Sequence, residues 1–78
     1  MKAENALEIA RYWQAGDAGC GGLIVGLKRQ VGQMQAGELL QVTAHDAGAP
    51  ADVPAWCRMT GHTLVSADPP IYVVKKHT

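Results

Sequence analysis

Cys20 is the residue of this sequence with the clearest potential for chemistry, because it lies in a glycine-rich segment directly before a predicted helix. The free backbone N–H groups and the positive dipole end of a helix N-terminus favour a thiolate over a thiol. The thiolate is the nucleophilic form of cysteine at neutral pH. The segment therefore predicts a reactive thiol, although a glycine-rich turn would also accommodate a small residue without any function.

The second cysteine, Cys57, falls beside Trp56 in another predicted helix, where a free thiol most often packs as a small apolar residue. A disulfide with Cys20 would require Cα atoms within about 7 Å of each other, which a sequence does not reveal. His45 and His62 could join the two cysteines as zinc ligands, but no C-x-x-C or H-x-x-x-H spacing supports such a site. We expect no metal, no cofactor and a structural role for Cys57.

The elements that position these residues follow from the spacing of apolar side chains. Residues 7–14 alternate loosely and predict a first strand, although residues 6–8 could equally begin a helix. Residues 15–22 contain four glycines and predict a loop. A helix over residues 22–35, ended by Gly37, is predicted next. The spacing that predicts it belongs to Leu23, Leu27, Val31 and Met34.

Residues 38–44 alternate as a half-buried strand does and predict the second strand. A turn-rich connection over residues 45–50 precedes a second, short helix that ends at Gly61. The pattern of this helix comes from Val53, Trp56, Cys57 and Thr60. Because proline lacks an N–H group, Pro54 is expected to lie in its first turn.

The C-terminal part predicts a hairpin. Residues 62–67 form the third strand, residues 68–70 a turn, and the β-branched residues 71–75 the fourth strand. The order β-α-β-α-β-β predicts a two-layer α/β sandwich, with both helices on one face of a four-stranded mixed sheet. We expect residues 1–78 to form one domain.

Composition excludes several classes of function. Seven basic and seven acidic residues give a net charge of zero, and two Trp, two Tyr and no Phe offer little for stacking on bases. Nucleic acid is therefore not an expected partner. No apolar run approaches the roughly 20 residues of a membrane span, and no secretory signal is apparent. We expect a cytoplasmic protein with reduced thiols.

Several segments together resemble the TusA/SirA-type family of sulfur carriers. They are residues 19–20, 37–42, 45–49 and 54–62, within a resemblance that covers roughly residues 16–76. The second half is the more specific: an Asp-x-Gly-Ala turn is followed by Asp-x-Pro-Ala-Trp-Cys-Arg and Thr-Gly-His.

The resemblance implies that the protein carries sulfur as a cysteine persulfide. Such carriers receive sulfur from a cysteine desulfurase or a rhodanese-like donor and pass it to the next relay protein. Cys20 falls at the position of the carrier cysteine. Asp46 falls at the aspartate of the loop after the second strand, which lies near that cysteine in the family. We expect protein partners for a monomeric chain.

One departure from the family pattern affects the start of the first helix. The family reads Cys-Pro-x-Pro, whereas this chain continues from Cys20 with Gly21, Gly22 and Leu23. Proline pre-sets φ at a first helical position, while each glycine costs roughly 0.5–1 kcal/mol of ordering entropy. This favours a looser helix start, and two alternatives stay open: a non-catalytic interaction or regulatory module of the same fold, and a redox sensor that uses Cys20 with Cys57.

Overall fold

A computed structural model describes residues 8–16 and 20–77 of the chain, with the side chain of Cys20 outside the description. Its elements are β1 (Ile9–Gly16), α1 (Cys20–Gly32), β2 (Leu39–Ala44), α2 (Ala49–Thr60), β3 (Thr63–Asp68) and β4 (Ile71–Lys75). The predicted order β-α-β-α-β-β and the α/β sandwich are confirmed. No helix in these ranges is long and apolar enough to span a membrane.

The four strands form one mixed sheet in the order β1-β2-β4-β3. β1 and β2 are parallel, and α1 provides the crossover that a parallel pair requires. β2 and β4 are antiparallel, as are β3 and β4, which form the predicted hairpin. The two central strands are therefore β2 and β4.

The core lies between the two helices and one face of the sheet. The fully buried side chains of that face are Leu40, Val42, Tyr72 and Val74. The buried side chains of α1 are Leu23, Leu27 and Val31, and Met34 is buried in the turn that follows the helix. The buried side chains of α2 are Ala49, Val53, Trp56 and Cys57. The predicted apolar face of the first helix is thus confirmed.

The predicted loop over residues 15–22 is largely absorbed into regular structure. β1 continues to Gly16, which pairs with Ala44 of β2, and α1 begins at Cys20. Residues 17–19 and the first predicted strand residue, Leu7, lie outside the described residues. α1 ends at Gly32, earlier than predicted, while Met34 stays buried in a turn in which its N–H donates to the Val31 oxygen at 3.0 Å.

The expectation that Pro54 lies in the first turn of the second helix is wrong. α2 begins at Ala49, so that Pro50 occupies the first turn and Pro54 lies inside the helix. An interior proline removes one backbone hydrogen bond and costs about 3 kcal/mol. The buried face of α2 offsets this cost, and Ala49, part of a predicted loop, belongs to that face. The predicted stop is confirmed, since Gly61 has a φ of 86° and donates to the Cys57 oxygen.

A glycine in the middle of α1 allows the helix to approach β1 closely. A Cβ atom at Gly26 would lie 2.1 Å from Cη2 and 2.3 Å from Cζ2 of Trp13. On the same strand, the Arg11 guanidinium donates to the side-chain oxygens of Gln30 at 2.8 Å and Gln33 at 2.7 Å. The indole and the guanidinium of β1 together define where α1 lies above the sheet.

Gly26→Ala is expected to lower the free energy of unfolding by about 1–2 kcal/mol. Overpacking a core costs about 1–3 kcal/mol, and a Cβ atom only 2.1 Å from the Trp13 ring favours the upper part of this range, which exceeds the helix-propensity gain of about 1 kcal/mol. Gly32→Ala is the matched control, because a Cβ atom there would meet nothing within 4 Å. It should leave stability unchanged or raise it. Urea unfolding of both variants tests the contact, and equal midpoints would contradict it.

Candidate functional site

Two loops that carry predicted site residues leave the sheet at the same edge. Because β1 and β2 are parallel, both end there: Gly16 pairs with Ala44, and the His45 N–H donates to the Gly16 oxygen at 3.0 Å. Cys20 begins α1 shortly after β1 ends, and Asp46 follows β2. We call this edge of the sheet, where β1 ends at Gly16 and β2 ends at Ala44, the site edge. The structure thus brings the backbones of Cys20 and Asp46 to one edge of the sheet.

The N-terminus of α1 provides the electrostatic setting for Cys20. Cys20 is the first residue of the helix, no acidic residue lies in the first turn, and Arg29 lies in the last turn. The first N–H groups of a helix have no partner within it and carry partial positive charge. A cysteine at such a position has its thiolate stabilised relative to its thiol. The helix also forms without the two prolines of the family pattern.

Asp46 closes the turn that leads into α2. Its carboxylate Oδ2 accepts a hydrogen bond from the Gly48 N–H at 2.9 Å, and its main-chain oxygen accepts one from the Ala49 N–H at 3.0 Å. A Cβ atom at Gly48 would lie 3.0 Å from carboxylate oxygens of both Asp46 and Asp52. Asp46 therefore stabilises this turn. The Asp-x-Gly pattern is itself typical of such a turn, because aspartate side chains commonly accept hydrogen bonds from the backbone two residues on.

Cys57 packs in the core, which confirms its structural interpretation. Its residue is 3% exposed, and burial raises the pKa of the thiol to about 11. Cys57 therefore stays protonated at neutral pH. Both helices begin at the site edge, and the rise along α2 places Cys57 about 12 Å further along it. This position disfavours a disulfide with Cys20.

Cys20 is expected to react with iodoacetamide faster than Cys57 in the native protein at neutral pH. The helix N-terminus favours the thiolate of Cys20, whereas burial disfavours that of Cys57. Peptide mapping by mass spectrometry after timed labelling measures both rates, and urea-unfolded protein is the control in which the difference should disappear. Faster native labelling of Cys57 would show that the reactive thiol has been misassigned.

The structure does not bring the four candidate zinc ligands together at one place. His45 lies at the site edge, whereas His62 precedes β3 at the opposite edge. The His62 ring packs against Trp56 with centroids 5.2 Å apart, and its Nδ1 accepts the His77 N–H at 3.0 Å. Among the side chains that the structure describes, which exclude that of Cys20, no group of three or more His, Cys, Asp or Glu could hold a metal ion.

Comparison with known families extends the resemblance found in the sequence. A model of the family described as "Sulfurtransferase TusA" matches residues 17–76, which include the site edge and every element from α1 to β4. The chain belongs to the TusA family. The match agrees closely with the span of the resemblance, roughly residues 16–76.

Individual proteins to which this chain is similar are named as sulfur carriers. Two proteins of Neisseria meningitidis, from serogroups A and B, are each named "Putative sulfur carrier protein" and are each 50% identical over 44 residues. These residues make up 56% of this chain and 60% of each relative. The "Putative sulfur carrier protein YrkF" of Bacillus subtilis is 38% identical over 45 residues, 58% of this chain and 24% of that protein. The chain thus matches only part of each relative's length.

Proposed function

We propose that this TusA-family protein carries sulfur as a persulfide on Cys20. The observation that carries the proposal is that α1 begins at Cys20 even though Gly21 and Gly22 follow it. The N-terminal N–H groups and dipole that stabilise a thiolate are therefore present without the prolines of the family pattern. The sulfur-carrier names of the relatives support the same role.

The transfer step requires one nucleophilic thiolate and no external oxidant. The Cys20 thiolate attacks the terminal sulfur of a donor persulfide, and a new S–S bond forms at Cys20. The S–S bond of the donor breaks, and its electron pair leaves with the donor thiolate. Delivery follows the same exchange in the other direction, with an acceptor thiolate as nucleophile. The sulfur changes carrier while the number of S–S bonds is conserved.

Asp46 is proposed to act beside Cys20 as a positioning residue. Its half-buried carboxylate holds the turn between β2 and α2 through the Gly48 N–H. That turn is tied to the end of β1 by the hydrogen bond from His45 to Gly16. These hydrogen bonds fix the position of the loop after β2 at the site edge, where α1 begins with Cys20.

The proposed partners are proteins, with a cysteine desulfurase or rhodanese-like protein as donor and a relay protein as acceptor. The outer surface of the helix layer supports this, because Val25 and Met59 are exposed and Ile24 and Met59 line a shallow groove of about 170 Å³ between α1 and α2. Exposed apolar surface of this kind is typical of protein-binding surfaces. We further propose a monomeric, single-domain carrier that acts in the cytoplasm.

Sulfur uptake by the wild-type protein tests this function. Reduced protein is incubated with a cysteine desulfurase and cysteine, with a rhodanese and thiosulfate, and with inorganic polysulfide. Intact mass spectrometry should show a gain of about 32 Da per added sulfur, which dithiothreitol reverses. If folded, reduced protein takes up sulfur from none of the three donors, the carrier function fails and a non-catalytic interaction module of the same fold takes its place.

A further inference from the structure

A second cleft lies at the edge of the molecule opposite the site edge. Its volume is about 390 Å³. It lies between the last turns of the two helices, the start of β3 and the residue after β4. The side chains that form it are Lys28, Val31, Trp56, Thr60, His62 and Lys76. Lys28 follows Cys20 by eight residues of α1, which corresponds to a rise of about 12 Å, so that the cleft is separate from Cys20.

The floor of the cleft is apolar and aromatic. Val31 and Trp56 are core residues that are 4% and 5% exposed, so that only an edge of each side chain faces the cleft. The His62 ring lies at 39° to the Trp56 ring, with the centroids 5.2 Å apart. The main-chain N–H of His77 holds the imidazole through Nδ1, which leaves Nε2 as the donor nitrogen of the neutral ring. The cleft therefore combines a small apolar floor with a fixed polar group.

The rim of the cleft is cationic. Lys28 and Lys76 contribute ammonium groups, and no described lining residue carries a carboxylate. Lys76 is held in place because its ammonium donates to the Met34 oxygen near the end of α1. The neighbouring acid, Glu38, has its carboxylate engaged by the Gln35 N–H at 2.8 Å. The cleft thus presents positive charge above an apolar floor.

We propose that this cleft binds a small organic anion. The apolar part of the ligand packs on the accessible edges of Trp56 and Val31, and its carboxylate or sulfonate lies between Lys28 and Lys76. The volume falls within the range of about 300–1,000 Å³ typical of small-molecule sites. A protein partner would instead cover about 800 Å² and about 20–30 residues of one surface, whereas six side chains form this cleft. The site does not depend on the sulfur chemistry of Cys20.

NMR titration of the ¹⁵N-labelled protein with naphthalene-2-sulfonate tests this site. Saturable shifts are expected for the backbone amides of Lys28, Gly32, His62 and Lys76 and for the Trp56 indole N–H. The uncharged analogue 2-naphthalenemethanol should bind about tenfold more weakly, a loss of about 1.4 kcal/mol, because it offers no negative charge to the two ammonium groups. Non-saturating shifts, shifts centred on the site edge, or equal binding of the neutral analogue would overturn the proposal.

Two charge-removing variants complete the test. Lys28→Gln removes a rim charge from an exposed side chain and should weaken binding of the sulfonate by about five- to tenfold. Lys75→Gln is the matched control, because Lys75 is an exposed lysine beside the cleft residue Lys76 but does not line the cleft. It should bind as the wild type does. Equal affinities of the two variants would remove Lys28 from the site and overturn the charge argument.

Discussion

Cys20→Ser is expected to abolish sulfur uptake completely, whereas variants of Cys57 should take up sulfur as the wild type does. A serine hydroxyl fits the same helix N-terminus but forms no persulfide. Cys57 is no substitute, because it is buried and its pKa is raised to about 11, so that it is protonated at neutral pH. Intact mass spectrometry after incubation with each donor should show the gain of about 32 Da in the wild type and the Cys57 variants but not in Cys20→Ser.

The two possible variants of Cys57 differ in how strongly they are expected to destabilise the fold. Cys57→Ser places a hydroxyl in an apolar core, where an unpartnered polar group costs about 1–3 kcal/mol. Cys57→Ala removes the thiol without adding a polar group and is the better control for folding. Circular dichroism should show all variants folded under the loading conditions. Sulfur on folded Cys20→Ser, or its absence from folded Cys57→Ala, would contradict the assignment of Cys20.

Trp56→Ala is expected to lower the free energy of unfolding by about 3–5 kcal/mol, as is typical of a large aromatic truncation in a core. Trp56 is 5% exposed and packs against His62, and it belongs to the core cluster beneath α2. A chain of 78 residues has a total stability of roughly 4–12 kcal/mol. The variant should therefore unfold at much lower denaturant concentration, or be partly unfolded without any.

The matched control for Trp56 is a neighbouring residue on the outside of the same helix. Met59 is 81% exposed, so that Met59→Ala should change stability by no more than about 0.5 kcal/mol. Unfolding is best followed by far-ultraviolet circular dichroism, because removal of an indole changes the fluorescence signal itself. An unchanged midpoint for Trp56→Ala would show that the core does not depend on this side chain.

Much of the fold could be predicted because the periodicity of each element is local. Leu23, Leu27 and Val31 identify the buried face of α1 from spacing alone, and all are buried. The boundaries were harder to predict. Gly21 and Gly22 suggested a loop, but burial of the helix face outweighs the entropic cost of two glycines. The same balance extends α2 back to Ala49, and it explains why Pro54 lies inside that helix.

The site was predictable only in part. Cys20 and Asp46 emerged as candidates from the sequence and its family resemblance, and the parallel pairing of β1 and β2 places their backbones at one edge. The contact between Gly26 and Trp13 was not predictable, because it depends on how closely α1 approaches the sheet. The cationic cleft was not predictable either, since Lys28 and Lys76 are far apart in the sequence and meet only through the fold.

The two edges of the sheet also differ in the balance of their side-chain charges, although the formal net charge is zero. Asp46, Asp52 and Asp68 lie towards the site edge. The opposite edge carries Lys28, Arg29, Arg58, Lys75 and Lys76 together with Glu8 and Glu38, so that its described charges are positive on balance. A molecule without net charge is not attracted as a whole by a uniform electric field. The field nevertheless exerts a torque on the permanent dipole of the molecule. A partner with a positive rim around its own active site would therefore rotate the approaching protein until its aspartate-bearing edge faces forward. Before contact, this charge distribution orients the protein relative to its partner rather than attracting it.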